Sequence, residues 1–249
     1  MTFHGIAPRE SAVDACAAAV KEAILGGTLR PGARLPPERE LAESLGVSRL
    51  TLRAGLGKLA SVGLLSVKHG SGYSVRDYRR SGGIELLPGL ARLARRRDQL
   101  AEIAADLLRV RRQLARTVLE QIAQARRRGA DRRVGVAIDA FAAELAARDR
   151  QRIAAADLDV VAALLEETGS AVLALCLNPV MQVVATIDAL REAIYAEPER
   201  NLLGWRALQV WLARPDPARI DQMIALLLAN DRATVQRLGA PRAPRRRAR

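Results

Sequence analysis

The 249-residue chain is 49% hydrophobic but only 3% aromatic and carries a formal net charge of +13, so it is long enough for two modest domains whose cores must be built from aliphatic side chains, with abundant Ala and Leu favouring helices. Two isolated cysteines, Cys16 and Cys176, exclude a disulfide scaffold and read as buried thiols in a reducing cytosol. No apolar run is long enough to span a bilayer and residues 1–10 lack the pattern of a signal sequence, so a soluble, cytoplasmic protein is expected.

The positive charge points to an anionic partner, but its placement weakens that inference. Lysine occurs only at Lys21, Lys58 and Lys68, and residues 1–78 hold ten Lys/Arg against seven Asp/Glu. Most of the excess lies downstream, partly in the Arg-rich tail over 241–249. An Arg/Ala-rich bias is as much a mark of GC-rich coding as of selection for nucleic acid, so a motif has to carry the functional inference.

From Ser11 to Leu25 apolar residues recur at helical spacing (Val13, Cys16, Ala17, Val20, Ile24), and Gly26-Gly27 ends the segment. Leu29-Arg30-Pro31-Gly32 reads as a turn. Pro36-Pro37 opens a second helix over 38–45, with Glu38 and Glu40 near the positive end of its dipole and a stop at Gly46. Ser48 suits the cap of a third helix, because its hydroxyl can accept from an unsatisfied backbone N–H. Arg49, Thr51 and Arg53 fall in the first turns, and Leu52, Leu56 and Leu59 form a core-facing stripe. Two helices around a short glycine-containing turn describe a helix-turn-helix; an ordinary helix hairpin with a solvated polar face gives the same pattern. Gly55 and Gly57 each cost about 1 kcal/mol relative to Ala inside a helix, which predicts fraying of its C-terminal half. Beyond Gly63, residues 64–67 alternate like a strand, 68–72 read as a basic turn, and 73–75 pair back. A helix-turn-helix followed by such a hairpin is a winged helix.

The string Leu35-Pro-Pro-Glu-Arg-Glu-Leu-Ala-Glu-Ser-Leu-Gly-Val-Ser-Arg-Leu-Thr-Leu-Arg, with the Gly70-Ser71-Gly72 wing, resembles the signature of the GntR family of bacterial transcriptional regulators over residues 11–78. The resemblance implies that Arg39, Ser48, Arg49, Thr51 and Arg53 contact operator DNA and that His69 and Gly70 form a wing tip entering the minor groove. By chemistry Arg49 is the first candidate for base readout, since Arg donates two hydrogen bonds to guanine. Arg39, Thr51 and Arg53 suit phosphate contacts, which position rather than specify. Family members usually carry Glu-Ala-Leu after the last Arg, where this chain has Ala54-Gly55-Leu56-Gly57.

Residues 79–83 are polar and glycine-rich and read as a linker. Beyond them helices are expected at about 84–96, 99–128, 131–148, 150–168, 179–196, 199–213 and 217–238, with a break at Asn178-Pro179. The expected fold is therefore mainly α: a winged helix-turn-helix over 9–78 with a small β-hairpin wing, an all-helical bundle over 84–240, and a disordered tail over 241–249. The bundle resembles the FadR-like effector domain of one GntR subgroup, through Leu107-Leu108-Arg109-Val110-Arg111 and the stretch from Asp157 to Asn178-Pro179. The string from Ser81 to Leu93 is similar to the linker of the fatty-acid-responsive members. Many such domains hold a divalent metal through an Asp, a His four residues later and further His. Here Asp157 matches the Asp, but Val161 stands four residues on, and the chain has only His4 and His69. A three-His metal site cannot be built, so no metal and no cofactor are expected. The resemblance implies an acyl-CoA or organic acid as effector. Arg111, Asp157, Asn178 and Arg206 are the candidate contacts, Arg111 first because the family arginine there points into the cavity. Arg191 is a further candidate cation, and Val160, Leu164, Val183, Val184, Ile187, Trp205, Leu208 and Trp211 are candidates for the apolar wall.

The expected function is a homodimeric, effector-responsive repressor binding double-stranded DNA at a palindromic operator. The alternatives are a sequence-indifferent architectural DNA binder and a regulator that has lost ligand sensing. An enzyme is disfavoured: residues 84–240 contain no histidine, one cysteine and no nucleotide-binding glycine motif, and no catalytic residue is assigned.

Overall fold

Ser11 is extended and its hydroxyl accepts from Asp14 N at 3.2 Å, so α1 (Ala12–Leu25) starts there. The computed structural model describes residues 11–68, 72–96, 98–125 and 129–240; the expected wing-tip residues His69 and Gly70 and the tail over 241–249 lie outside them. The chain divides into two compact units, Met1–Leu93 and Ala94–Arg249.

In the first unit Pro37 caps α2 (Glu38–Ser44), and Ser48 caps α3 (Arg49–Ser61). Leu52, Leu56 and Leu59 of α3 are at most 2% exposed and pack with Cys16, Val20 and Ile24 of α1 in one core. Each such side chain contributes roughly 1.5–3 kcal/mol of burial. β1 (Leu65–Lys68) and β2 (Gly72–Val75) pair antiparallel, from Leu65↔Val75 to Lys68↔Gly72. The segment before α2 joins this hairpin: Leu35 N donates to Tyr73 O (3.0 Å) and Val75 N to Ala33 O (2.9 Å). Residues 79–83 contain the end of a one-turn helix, α4 (Tyr78–Ser81). Ser81 Oγ donates to Gly63 O at 2.7 Å. Gly63 has φ +73 and approaches Ser81 so closely that a Cβ there would lie 2.0 Å from the Ser81 carbonyl oxygen. A 3₁₀ turn at Ile84–Leu86 leads into α5 (Leu87–Arg96).

The expected fraying of the third helix is not seen: α3 runs unbroken through both glycines. A Cβ at Gly55 would sit 3.2 Å from Val13 O and 3.3 Å from both Ala17 N and Cys16 Sγ. The absent side chain therefore lets α1 and α3 approach, and tertiary packing outweighs propensity. Gly57 has nothing within 4 Å of its would-be Cβ.

The second unit consists of α6 (Leu100–Ala125), α7 (Ala130–Glu144), α8 (Arg150–Thr168), α9 (Ala171–Thr186), α10 (Asp188–Ile194), α11 (Pro198–Ala213) and α12 (Ile220–Gly239). α6 packs on α12, and α7 packs between α8 and α11. Val134, Ile138 and Phe141 of α7, Leu108 of α6 and Val160 of α8 are fully buried. The break expected at Asn178-Pro179 is absent. α9 begins eight residues before Pro179 and continues through it. Pro179 removes one intrahelical donor, but Leu173, Leu177, Val180, Met181 and Val184 bury one face on both sides of it. The break falls instead at Ile187, where extended backbone caps α10 and the two helices bend by 94°. Cys176, expected to be buried, is exposed on α9, whereas Cys16 is buried. Among the described residues no single helix is long and apolar enough to cross a membrane.

The two glycines of α3 are expected to respond differently to alanine. Gly57→Ala should raise stability by about 1 kcal/mol through helix propensity alone. Gly55→Ala should fall at least about 1 kcal/mol below it, because the new methyl presses on the α1 backbone. Urea unfolding of both variants checks this, and equal stabilities would contradict the packing role of Gly55.

Candidate functional site

α2, the turn at Gly46 (φ +64) and α3 form the helix-turn-helix of the first unit. Ser48 Oγ accepts from Thr51 N (3.1 Å) and lies 2.8 Å from Thr51 Oγ1, so the two hydroxyls pair across the first turn of α3. Arg39 and Arg49 are exposed and have no hydrogen-bond or ion-pair partner among the described residues. Their guanidinium donors are available. Arg53 is held by Glu38 of α2 through Nε–Oε2 at 2.6 Å while its side chain stays 66% exposed. Such a surface pair contributes only about 0–1 kcal/mol, so it orients Arg53 without immobilising it. Arg39, Ser48, Arg49, Thr51 and Arg53 are thus carried together on α2 and the start of α3.

Sequence reasoning passed over Leu50. It is 80% exposed on the same outward strip of α3 as Arg53, Ala54 and Gly57. The signal available was an apolar residue out of phase with the Leu52/Leu56/Leu59 stripe. An exposed aliphatic group at that place has the chemistry to meet a thymine methyl. On the wing, Lys68 and Gly72 close the described part of the hairpin.

The second unit contains a cavity of about 130 Å³ among α6, α8, α9, α10, α11 and α12. Its wall is mostly aliphatic, including Leu119, Val161, Leu164, Met181, Leu208 and Leu227. Two ionic groups expected from the sequence, Arg111 of α6 and Asp157 of α8, face it. Arg111 pairs with Asp231 of α12, which also accepts from Arg112. The Arg111 Nε is buried without a hydrogen-bond partner. Asp157 is 4% exposed. Its Oδ1 accepts from Trp205 Nε1 (2.8 Å) and its Oδ2 from the Tyr195 hydroxyl (2.9 Å). Burial pushes the Asp157 carboxyl above its ordinary pKa, against the Trp205 hydrogen bond, the nearby Arg111 charge and the Tyr195 hydrogen bond. Burial, then the neighbouring Asp157, pushes the Tyr195 phenol well above its own.

The other two candidate contacts are placed elsewhere. Asn178 is exposed on α9 and does not line the cavity. Arg206 points to α7, pairing with Asp139 at 2.7 Å and donating to Gln209 at 2.9 Å. Arg191 is likewise engaged, with Ala185 O (2.9 Å) and Asp188 (2.6 Å). Of the apolar wall expected from the sequence, Leu164, Trp205 and Leu208 line the cavity, whereas Val160, Val183, Val184 and Trp211 are buried away from it. Asp231, Tyr195 and Asn230 were not foreseen. Among the described residues no group of three or more His, Cys, Asp or Glu is placed to hold a metal ion.

The sequence profile of the bacterial regulatory proteins, gntR family, matches residues 13–75. An uncharacterised HTH-type transcriptional regulator of Mycobacterium tuberculosis is 51% identical over 69 residues, 28% of each chain. The fatty acid metabolism regulator protein of Yersinia pestis is 39% identical over 94 residues, 38% of each chain. The match therefore spans about a quarter to two fifths of these relatives. Among solved structures, that of Lar, which controls the expression of the Listeria monocytogenes agr system, superposes with a TM-score of 0.60 at 14% identity, covering 93% of this chain and 98% of that one. That likeness is one of fold.

The Asp157 network makes a prediction with two parts. Tyr195→Phe leaves Oδ2 without its donor and should destabilise the chain by about 1–3 kcal/mol. Asp157 binds its proton more readily in the folded than in the unfolded chain, so its contribution to stability is full below about pH 4 and declines as pH rises through its raised folded value. Asp157→Asn removes that dependence. The stability of D157N relative to the parent should therefore improve as pH rises from about 4 towards neutrality; an invariant difference in thermal unfolding would contradict the raised carboxyl.

Proposed function

We propose that this chain, whose residues 13–75 form a GntR-family winged-helix domain, is a sequence-specific DNA-binding transcriptional regulator acting in a bacterial cytoplasm. The observation that carries the reading is the start of α3: Ser48 and Thr51 fix its first turn, and Arg49 projects from it with every donor free. Arg49 reads a base edge in the major groove, while Arg39, Arg53 and the Ser48–Thr51 hydroxyls hold the backbone. His69 and Gly70 serve as the wing tip.

Two copies bind a palindromic operator as a repressor, since two-fold protein symmetry matches two-fold DNA. Exposed Val136 of α7 and Leu203 and Val210 of α11, each at least 70% exposed, supply apolar surface for that pairing. The cavity of the second unit takes the effector, an acyl-CoA or an organic acid, with Arg111 and Asp157 at its polar end. Effector control requires unequal affinity of the ligand for the DNA-binding and released states. A second reading, a sequence-indifferent binder, is favoured by the charge distribution, because most of the net positive charge lies outside residues 1–78.

Mobility-shift titration on DNA upstream of its own gene separates the two. Arg49→Ala should lose about 1–3 kcal/mol of discrimination, on the order of 5- to 150-fold, between operator and unrelated DNA. Arg39→Ala should weaken both DNAs alike and lower the salt slope by about one. Unchanged discrimination in R49A would overturn the recognition role.

A further inference from the structure

We propose that Leu50 is a specificity-determining residue of α3, and that its side chain packs on the C5-methyl group of a thymine next to the base pair read by Arg49. This rests on the reading of α3 as the DNA-reading helix and names what that helix selects beyond the Arg49 contact.

The argument begins with where the molecule leaves apolar side chains in water. Among the described residues of the first unit, the exposed large hydrophobic side chains are Leu50 of α3 and Val67 of β1. Leu50 belongs to the first turn of α3, the end at which a recognition helix meets base edges. It takes no part in the core, because Leu52, Leu56 and Leu59 hold the helix from the opposite side. A singly exposed leucine needs no explanation on most surfaces, but the neighbours of this one set it apart. Arg49 precedes it with its guanidinium donors free, and the Ser48 and Thr51 hydroxyls pair across the same turn. Arg53 and Ala54 follow on its strip, and α3 contains no Asp or Glu. Glu38, the carboxylate that reaches the strip from α2, is paired with Arg53. An apolar patch rimmed by cations and hydroxyls complements a polyanion that carries apolar groups, which is the character of a duplex seen in its major groove.

Helix geometry gives the two side chains different targets. Successive residues on a helix point about 100° apart and rise about 1.5 Å, so Arg49 and Leu50 reach neighbouring base pairs rather than one. Of the four bases only thymine presents a methyl group in the major groove. Leucine offers no hydrogen bond, so against cytosine N4 or adenine N6 it would strip water from a donor and return nothing. Against thymine it gains the burial of a methyl group, worth about fourfold in affinity (about 0.8 kcal/mol).

The test is mobility-shift titration of the full chain on its footprinted operator, with the duplex changed one base at a time. Uracil in place of thymine removes only the methyl group. At one thymine in each half-site this should weaken binding about fourfold, and 5-methylcytosine at that place should bind more tightly than cytosine. Leu50→Ala should weaken the thymine operator by a similar factor, leave the uracil operator nearly unchanged and so erase the difference between them. A merely structural role would lower both together. The proposal is overturned by the lack of any thymine whose methyl group matters, by equal binding of cytosine and 5-methylcytosine there, or by a uracil effect that persists in L50A. With discrimination by Arg49 intact, those outcomes overturn the role of Leu50 alone. If no discrete operator is protected, the regulator reading falls and the role of Leu50 falls with it.

Discussion

The first unit depends on how one short helix is gripped. Leu52, Leu56 and Leu59 pin α3 to α1, and Gly55 brings the two backbones together where any side chain would hold them apart. That contact fixes the rotation of α3 about its axis. Once the buried stripe is set, the helix has no freedom in what it shows outside: Leu50, Arg53, Ala54 and Gly57 on the outward strip, with Arg49 at the N-terminal edge. The reading face is a consequence of core packing. A one-position slip in the stripe would turn different side chains outward. The wing is tied to the same core, since residues 33–35 pair with β2 and Arg76 N donates to Leu64 O at 2.9 Å.

The second unit rests on a different kind of constraint. Its cavity is lined by aliphatic groups but contains four ionic side chains at or beside one end: Arg111, Arg112, Asp157 and Asp231. Charges in such a setting are tolerable only when hydrogen-bonded. Asp231 and Asp157 each accept from two donors, and the Arg111 Nε is buried without a hydrogen-bond partner.

Local signals in the sequence carried most of the architecture. The Ser48 cap, the leucine stripe, the hairpin and the helices flanking glycine turns follow from rules that act over a few residues, and all are present. Failures came where distant packing decides. Pro179 reads as a break but sits inside α9, because burial on both sides holds the helix, and Ile187 carries the turn instead. Gly55 reads as a weakness until α1 is seen against it. Cys176 follows an apolar run yet faces outward, since nearly every position there is apolar and periodicity cannot choose the face. At the cavity, Arg111 and Asp157 were identified from the resemblance alone. Their partners were not, because Tyr195, Trp205 and Asp231 lie 38, 48 and 120 residues away from the groups they bond. Asn178 and Arg206 show the converse, since a matching position in sequence did not bring either to the cavity wall.

The central claim is that α3 reads a defined sequence, and footprinting of the full chain on the DNA flanking its own gene tests it most directly. The account predicts one discrete protected segment with two symmetric halves whose centres lie about 34–36 Å apart along the duplex, or a multiple of that. Even protection along the whole fragment, at every protein concentration that protects at all, would contradict it.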